Sequence, residues 1–237
     1  MNLKIFLAIN LSVGLSNFAS HAAFLRNEEK PEIIPLITFG DKKEASHSDF
    51  ELHVLDDPVM GGESHSESTL VDEKYTYVSW NGTVVDVPKL SAPGFCSVET
   101  THYTTTLMND VSSSTELSLK VRSKTPSYQG FKISFATKFT DHPIFSSFKS
   151  DFFLKPSQEW QFISIPFDKF TSDWSAYTGN SITPCSADHK EVCPKTEDLE
   201  TIKQITISAE GVNGPFDLDV GGIFGTSFEK QEVVKGE

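Results

Sequence analysis

The sequence predicts an all-β protein built as an antiparallel β-sandwich. From about Tyr75 onward, apolar and polar residues alternate with the period of a β-strand, and the period of a helix is almost absent. Turn-forming residues recur at the spacing that separates the strands of a sandwich. The chain has 237 residues, which is enough for one sizeable core, so we expect a single β-sandwich domain.

Residues 116–122, 131–135 and 216–220 show the alternation most clearly. In each segment large apolar residues occupy every second position, and polar or charged residues occupy the positions between them. Such a strand has one side in a core and the other in water, so we expect Lys132 and Ser134 to face solvent. The predicted core consists of Leu117, Leu119, Val121, Phe131, Ile133, Phe135, Phe152, Ile163, Ile165, Ile205, Ile207, Phe216 and Leu218.

Pro, Asn and Gly mark the predicted ends of the strands. The predicted turns are at residues 81–82, 92–94, 126–130, 213–215 and 221–222. One short helix is predicted near residues 197–202, where acidic residues stand near its start. The chain contains 19 Phe, and we expect their rings to fill the space between the two sheets.

The two ends of the chain are predicted to lie outside the domain. Residues 1–22 resemble a secretory signal peptide, with one positive charge at Lys4, a mostly apolar stretch and small residues at the end. We expect residues 23–35 to form a linker, residues 36–228 the sandwich and residues 229–237 a disordered tail. The apolar stretch is too short to span a bilayer, so no membrane span is expected in the mature chain.

A mitochondrial presequence is the alternative for residues 1–22. Such a presequence needs several Arg on an amphipathic helix, whereas no Arg precedes Arg26 and the apolar run is too continuous for a polar face. We therefore expect the protein to be secreted or to enter the secretory pathway.

Three cysteines agree with an oxidising compartment. Cys185 and Cys193 lie in a polar stretch without a strand pattern, where a disulfide would pin a loop and contribute about 2–3 kcal/mol by chain-entropy reasoning. Two independent surface thiols are the alternative. Cys96 follows Phe95 in an apolar strand and is predicted to be a buried free thiol. No zinc-ligand spacing is present.

The formal net charge is −13. Binding to a phosphate backbone or an anionic membrane requires clustered Lys and Arg, so we expect no nucleic-acid partner.

Six short motifs follow one another in order between residues 50 and 223. They are an acidic pair with Val-Met-Gly-Gly-Glu-Ser at 56–64, Trp-Asn-Gly-Thr-Val at 80–84, Gly-Phe at 94–95, Leu-Ser-Leu-Lys-Val-Arg at 117–122, Trp160 with Ile-Pro-Phe at 165–167, and Gly-Pro-Phe-Asp-Leu at 214–218. This order resembles the NADH:ubiquinone oxidoreductase intermediate-associated protein 30 family, whose founding members assist assembly of respiratory complex I.

The resemblance implies a galactose-binding domain-like sandwich of the jelly-roll type. It also implies a scaffolding or assembly role more than a reaction, with no residue in an agreed catalytic role. We expect no cofactor. We therefore expect a non-catalytic, assembly-factor-like protein that binds a protein partner. A secreted, lectin-like carbohydrate-binding module is the alternative.

Asp56, Asp57, Gly61, Gly62 and Ser64 form the first candidate binding segment. As a phosphate loop the segment fails, because it is acidic and no Lys-Ser or Lys-Thr follows the glycines. The structural interpretation is that both glycines adopt backbone angles closed to other residues while the Asp side chains cap nearby amides. On that interpretation an Asp57→Asn replacement should cost little stability.

A Ca²⁺ site is the alternative for this segment. Asp56, Asp57 and Glu63 carry hard oxygen ligands around a flexible turn. Their spacing matches no fixed coordination loop, so we expect a structural segment and no metal.

Three further patterns are candidates. Asn81-Gly82-Thr83 is a glycosylation sequon, and Asn-Gly is also a tight-turn signal. Trp174 and Tyr177 lie in a polar loop and could stack on a sugar ring, although a Trp there more often packs over the edge of a sandwich. The His residues are scattered singly, and no acid/base pair or nucleophile motif is evident, so we expect no enzymatic activity.

Overall fold

A computed structural model describes residues 32–39, 52–72, 76–100, 107–142 and 146–227. In this part of the chain the strands are β1 (Glu32–Thr38), β2 (Leu52–Asp56), β3 (His65–Asp72), β4 (Thr76–Val84), β5 (Asp86–Val87), β6 (Ala92–Pro93), β7 (Phe95–Thr100), β8 (Glu116–Ser123), β9 (Phe131–Thr137), β10 (Phe148–Asp151), β11 (Gln161–Pro166), β12 (Ile202–Glu210) and β13 (Gly214–Ser227). The predicted signal peptide and tail lie outside the described residues.

The strands form two antiparallel sheets that pack against each other. The larger sheet has the order β11-β8-β13-β4-β3, and β1 also pairs with β13. The smaller sheet has the order β10-β9-β12-β7-β2. Strands β5 and β6 form a separate two-stranded ribbon. This arrangement confirms the predicted all-β, antiparallel β-sandwich.

The core between the sheets is made of the alternating apolar residues. Of the thirteen predicted core residues, all are buried except Ile163, which is partly buried and packs against the others. The short helix, α1 (Thr196–Leu199), lies where the acidic cluster predicted one, and Leu199 anchors it in the core. Among the described residues, short 3₁₀ helices cover Asp57–Met60, Phe167–Lys169 and Lys190–Val192.

The longest strand, β13, passes from one neighbour to another. Its first half pairs with β4 and its second half with β1, while β8 runs along the opposite edge. The register with β8 shifts between Val220 and Gly222, where the change of neighbour occurs. The predicted turn at residues 221–222 was therefore wrong, because the two glycines form an irregularity inside a continuous strand.

Two further predictions need correction. Asn81 and Gly82 lie within β4, where Asn81 is opposite Glu67 on one side and Asp217 on the other, so pairing with two strands overrides the local turn signal. The sheet also begins at Glu32 and not at residue 36. The edge strand β1 tolerates Pro35 in the predicted linker, because in the described residues it pairs with β13 alone.

The outer face of the smaller sheet is polar and largely buried, contrary to the prediction for β9. Lys132 is 4% exposed and Ser134 is 5% exposed. The reason is that residues 171–183, here called the covering segment, lie against this face. The Asn180 side chain of the segment accepts a hydrogen bond from Lys132 Nζ at 3.1 Å.

Candidate binding surfaces

Two residues of the first motif, Asp57 and Ser64, are hydrogen-bonded to each other inside the protein. Asp57 and Ser64 are both fully buried. Asp57 Oδ1 accepts a hydrogen bond from the Ser64 backbone N–H at 2.9 Å, and Oδ2 accepts one from the Ser64 hydroxyl at 2.7 Å. Oδ2 also accepts the Phe95 backbone N–H at 3.2 Å. One carboxylate thus joins the start of β3 to the start of β7.

The neighbouring acid, Asp56, makes a parallel connection. Its Oδ2 accepts the Ser66 backbone N–H at 2.6 Å and its Oδ1 accepts the Ser66 hydroxyl at 2.8 Å. The Ser66 hydroxyl in turn accepts a hydrogen bond from Trp80 Nε1 at 3.0 Å. Trp80 is fully buried and packs on Phe216 with ring centroids 4.5 Å apart. The acidic pair therefore ties the first motif to the second and the last.

Gly62 and Gly94 leave the space that the Asp57 carboxylate occupies. A Cβ at Gly62 would lie 2.2 Å from Asp57 Cγ, and a Cβ at Gly94 would lie 1.6 Å from Asp57 Oδ2. Gly61 differs, because it has a φ of +80° and open space around it. The expectation that both glycines need unusual backbone angles was thus wrong for Gly62, whose absent side chain makes space for a buried carboxylate.

This geometry supports the structural interpretation of the candidate segment. Gly62 and Ser64 lie around the buried carboxylate of Asp57, whose two oxygens accept hydrogen bonds from donors of the protein itself. Asp56 makes a separate set of bonds to Ser66, and Gly61 lies in open space. In the part of the chain that the structure describes, no three His, Cys, Asp or Glu residues are grouped as metal ligands.

Two other motif residues, Arg122 and Trp160, meet outside the core on the outer face of the larger sheet. The Arg122 guanidinium lies 4.7 Å from the Trp160 ring centroid and 5.3 Å from that of Tyr77. The two rings pack edge to face at 5.5 Å. Lys120 Nζ lies 5.4 Å from the Trp160 ring. We call Tyr77, Lys120, Arg122, Trp160 and Phe162 the outer aromatic cluster.

Asp219 holds Arg122 in this cluster. The Arg122 side chain donates to Asp219 Oδ2 through Nε at 2.9 Å and through Nη2 at 2.6 Å, and Asp219 is only 2% exposed. Burial lowers the pKa of Arg122, but the hydrogen bond and charge of Asp219, together with the interaction with Tyr77, more than offset this effect, so the pKa is raised overall. The cation is therefore fixed and permanently charged.

Phe162 extends the cluster into solvent. It lies opposite Lys120 in the β11–β8 register and is 66% exposed. Phe139 and Phe153 are also more than half exposed. The expectation that Phe rings fill the core therefore fails for these three residues. Sequence alternation predicts the exposure of Phe162. Its neighbour in the strand, Ile163, faces the core, and adjacent side chains of a strand point to opposite faces, so Phe162 faces solvent.

The covering segment carries the two predicted aromatic candidates, which have different environments. Trp174 donates from Nε1 to the Ser147 carbonyl at 2.8 Å, and its ring lies 3.7 Å from Lys149 Nζ. It is packed against the sandwich. Tyr177 is 69% exposed. The structure thus separates one packing residue from one exposed residue.

Two buried lysines contact the covering segment. Lys132 donates to Asn180, and Lys149 lies against the ring of Trp174. Lys149 is 7% exposed and donates from Nζ to Glu210 Oε1 at 2.6 Å. Burial lowers the pKa of Lys149, and Glu210 opposes the change.

The predicted disulfide between Cys185 and Cys193 is confirmed, with Cα atoms 4.9 Å apart. Cys96 is a buried free thiol, as predicted.

Two of the surface depressions in the described part of the chain lie beside candidate residues. One, of about 550 Å³, lies on the outer face of the larger sheet and is lined by Asn81 of the sequon together with Glu67, Thr83 and Asp217. The other, of about 290 Å³, lies between β10 and the covering segment. No helix in the described residues is long and apolar enough to cross a membrane.

A family model for Complex I intermediate-associated protein 30 (CIA30) matches residues 37–220. The chain belongs to this family. The match spans both sheets of the sandwich, the Asp56–Asp57 network and the outer aromatic cluster of this CIA30 domain. A comparison with curated protein sequences gives no match.

Solved structures similar to this CIA30 domain include a family 11 carbohydrate-binding module from Clostridium thermocellum, in complex with a β-1,3-1,4-mixed-linked tetrasaccharide. It has 14% identity and a TM-score of 0.46, over 81% of this chain and 97% of the module. A solution structure of CtCBM11 has 14% identity and a TM-score of 0.48, over 83% and 98% of the two chains. An agarase, AgWH50C, has 13% identity and a TM-score of 0.41, over 84% of this chain and 25% of the agarase.

Proposed function

We propose that this CIA30 domain is a non-catalytic, assembly-factor-like protein that holds a protein partner on the outer face of its larger sheet. The outer aromatic cluster carries the proposal. Trp, Tyr and Arg are the residues most enriched among energetic hot spots of protein interfaces. Here one of each is packed together, with Arg122 held by the buried Asp219, and the exposed ring of Phe162 lies beside them.

The family supports the same role. Its description refers to association with intermediates of complex I, which is a protein-binding function. The motif residues of this chain divide into two groups. The acidic pair, the glycines and Trp80 serve the interior, whereas Arg122 and Trp160 lie outside the core and are available for a partner.

A non-catalytic role agrees with the state of two buried carboxylates, Asp57 of the first motif and Asp219 next to the last motif. General acid or base catalysis needs a carboxyl group within reach of substrate. Asp57 is buried and its oxygens accept bonds from Ser64 and Phe95. Asp219 is buried beneath the Arg122 side chain, with which it is paired.

We also propose that the protein enters the secretory pathway, with cleavage after residue 22. The partner would then be a protein of that route and not a mitochondrial complex. N-terminal sequencing of the native protein with cell fractionation tests this part. Recovery from mitochondria would return the partner to complex I intermediates and contradict secretion.

Site-specific photo-crosslinking in the native host tests the protein-binding face. p-Benzoylphenylalanine replaces Phe162 in one variant and Phe139 in the control, because the two rings have similar exposures of 66% and 56%. We expect one reproducible protein adduct from position 162, none from position 139, and loss of the adduct when Trp160→Ala is added. Equal labelling from both positions, or an adduct insensitive to Trp160, would contradict the proposal.

A secreted, lectin-like function is the second candidate. It is favoured by the exposed Tyr177 and by the depression beside the covering segment. A glycan array on the mature protein separates the two functions, because saturable sugar binding without a crosslinked protein would favour the second.

A further inference from the structure

The depression between β10 and the covering segment has the composition of a small binding site. Its volume is about 290 Å³, and its lining includes Lys149, Asp151, Phe153, Lys169 and Ser181. This volume is near the lower end of ligand pockets, which limits an occupant to a small molecule or one terminal unit of a larger one.

The walls of this depression are held in place by buried contacts. Lys149 is fixed between Glu210 and the Trp174 ring. Gly179 of the covering segment has a φ of +68°, and a Cβ there would lie 2.3 Å from the Glu210 carboxylate. The segment backbone therefore lies directly on an ion pair of the sheet. A preorganised wall of this kind reduces the entropy that a ligand must lose on binding.

The depression is electrically balanced, which selects the class of ligand. Lys149 is paired with Glu210, and the exposed Lys169 lies 3.8 Å from Asp168. Asp151 is paired with the buried Lys132. Each cation thus faces a carboxylate, so the site offers an anion or a cation little net attraction. A neutral ligand with many hydroxyl groups can accept from the ammonium groups and donate to the carboxylate.

Phe153 completes the site. Its ring is 58% exposed although it lines a concave surface beside charged groups. An exposed aromatic ring next to directed polar groups suits a ligand that is apolar on one face and polar at its edge, as a pyranose ring is. Tyr177, two residues from Gly179 in the chain, offers a second exposed ring.

We infer that this depression binds one neutral pyranose unit, with the C–H face of the sugar on Phe153 and its hydroxyl groups on Lys149, Asp151 and Ser181. The inference rests on the lectin-like candidate function and is independent of the protein-binding face on the other sheet.

Saturation-transfer difference NMR and calorimetry on the mature protein test the inference. The probes are methyl β-glucopyranoside, methyl β-galactopyranoside and methyl α-mannopyranoside, with glucuronic acid as the anionic comparison. We expect at least one neutral glycoside to bind with a Kd that changes little between low and high salt. We expect Phe153→Ala to weaken this binding about tenfold or more, with a smaller loss for Ser181→Ala.

Phe139→Ala is the matched control, because that ring is 56% exposed and does not line the depression. It should leave sugar binding unchanged. Thermal melts check that the two exposed Phe replacements leave the fold intact. Preference for glucuronic acid, or equal effects of the two Phe variants, would overturn the site while leaving a lectin-like function standing. If none of the four probes binds, the inference is overturned. Glycan-array binding without binding of these probes would overturn the site but not the lectin-like function.

Discussion

The carboxylate of Asp57 accepts the hydroxyl hydrogen bond of Ser64 at 2.7 Å, and neither side chain is exposed to solvent. The same carboxylate accepts backbone N–H groups from Ser64 and Phe95. All three hydrogen bonds are thus donated to the carboxylate, and Asp57 acts only as an acceptor. A group that is itself half donor cannot replace a carboxylate in this position.

Asp57→Asn is accordingly expected to lower the free energy of unfolding by about 3 kcal/mol, measured by chemical denaturation. The amide NH₂ would face either Ser64 N–H or the donors at Oδ2, leaving buried groups unsatisfied. This expectation replaces the small cost inferred from sequence, which assumed that the remaining side-chain oxygen of Asn could still cap the amides. Asp72→Asn is the control, because Asp72 is exposed and accepts one bond from Thr76.

Chelation gives a second readout for the same segment. With the oxygens of Asp57 bound to protein donors, removal of divalent cations should leave the melting temperature of the wild type unchanged. A fall in melting temperature on chelation that Asp57→Asn abolishes would show that the segment binds a metal, since ligand linkage would then be lost.

Gly61 and Gly62 are adjacent but should respond differently to a methyl group. Gly61→Ala places a side chain at a φ of +80° with nothing within 4 Å, so only backbone strain of about 1 kcal/mol is expected. Gly62→Ala drives a Cβ into the Asp57 carboxylate and should cost about 3 kcal/mol. Denaturation of the two variants decides the matter, and a larger loss for Gly61 would point to backbone angle as the main constraint.

Period-two alternation, together with the family resemblance, predicted the sandwich, and twelve of the thirteen core residues named from it are buried. The core also contains residues that the prediction did not name, such as Trp80, Phe148 and Phe170. Alternation could not predict that the other side of β9 is covered. That coverage depends on residues 171–183 returning to β10 through long-range bonds such as Lys149 N–H to the Thr171 carbonyl. The prediction of a turn at Asn81-Gly82 failed for a related reason. A two-residue signal carries no information about the two strands, β3 and β13, with which β4 pairs.

The candidate site was predictable only in part. The motif order identified Asp57, Ser64 and the glycines as constrained, and their role as a buried tie required the distances. Trp160 and Arg122 are 38 positions apart, and only the register of β8 and β11 brings their neighbourhoods together. Their contact with Tyr77 from β4 has no local sequence signal.

Thiol labelling tests the cysteine assignments together. Burial, and then the charge of Asp56, raises the pKa of the Cys96 thiol, so an alkylating reagent should leave the native protein unlabelled. After denaturation without reductant the protein should carry one label in total, on Cys96. After denaturation with reductant it should carry three in total. Mass spectrometry of the intact protein counts them. Two or more labels without reductant would contradict the Cys185–Cys193 bridge.

The sequon at Asn81 gives the last prediction. Asn81 follows the inward-facing Trp80, so it projects from the outer face of the larger sheet, beside the 550 Å³ depression. Pairing on both sides does not prevent modification, because a glycan is added before the strands pair and then needs only an outward, open position.

If the protein follows the secretory route, we expect a glycan at Asn81, seen as a mass shift that an N-glycosidase removes. Asn81→Gln and Thr83→Ala should both abolish the shift. Thr83→Ser should retain it, because Ser keeps the hydroxyl that the sequon requires while changing the same position of β4. An unmodified Asn81 in protein recovered from the secretory route would contradict the prediction, whereas unmodified protein from another compartment would instead count against secretion.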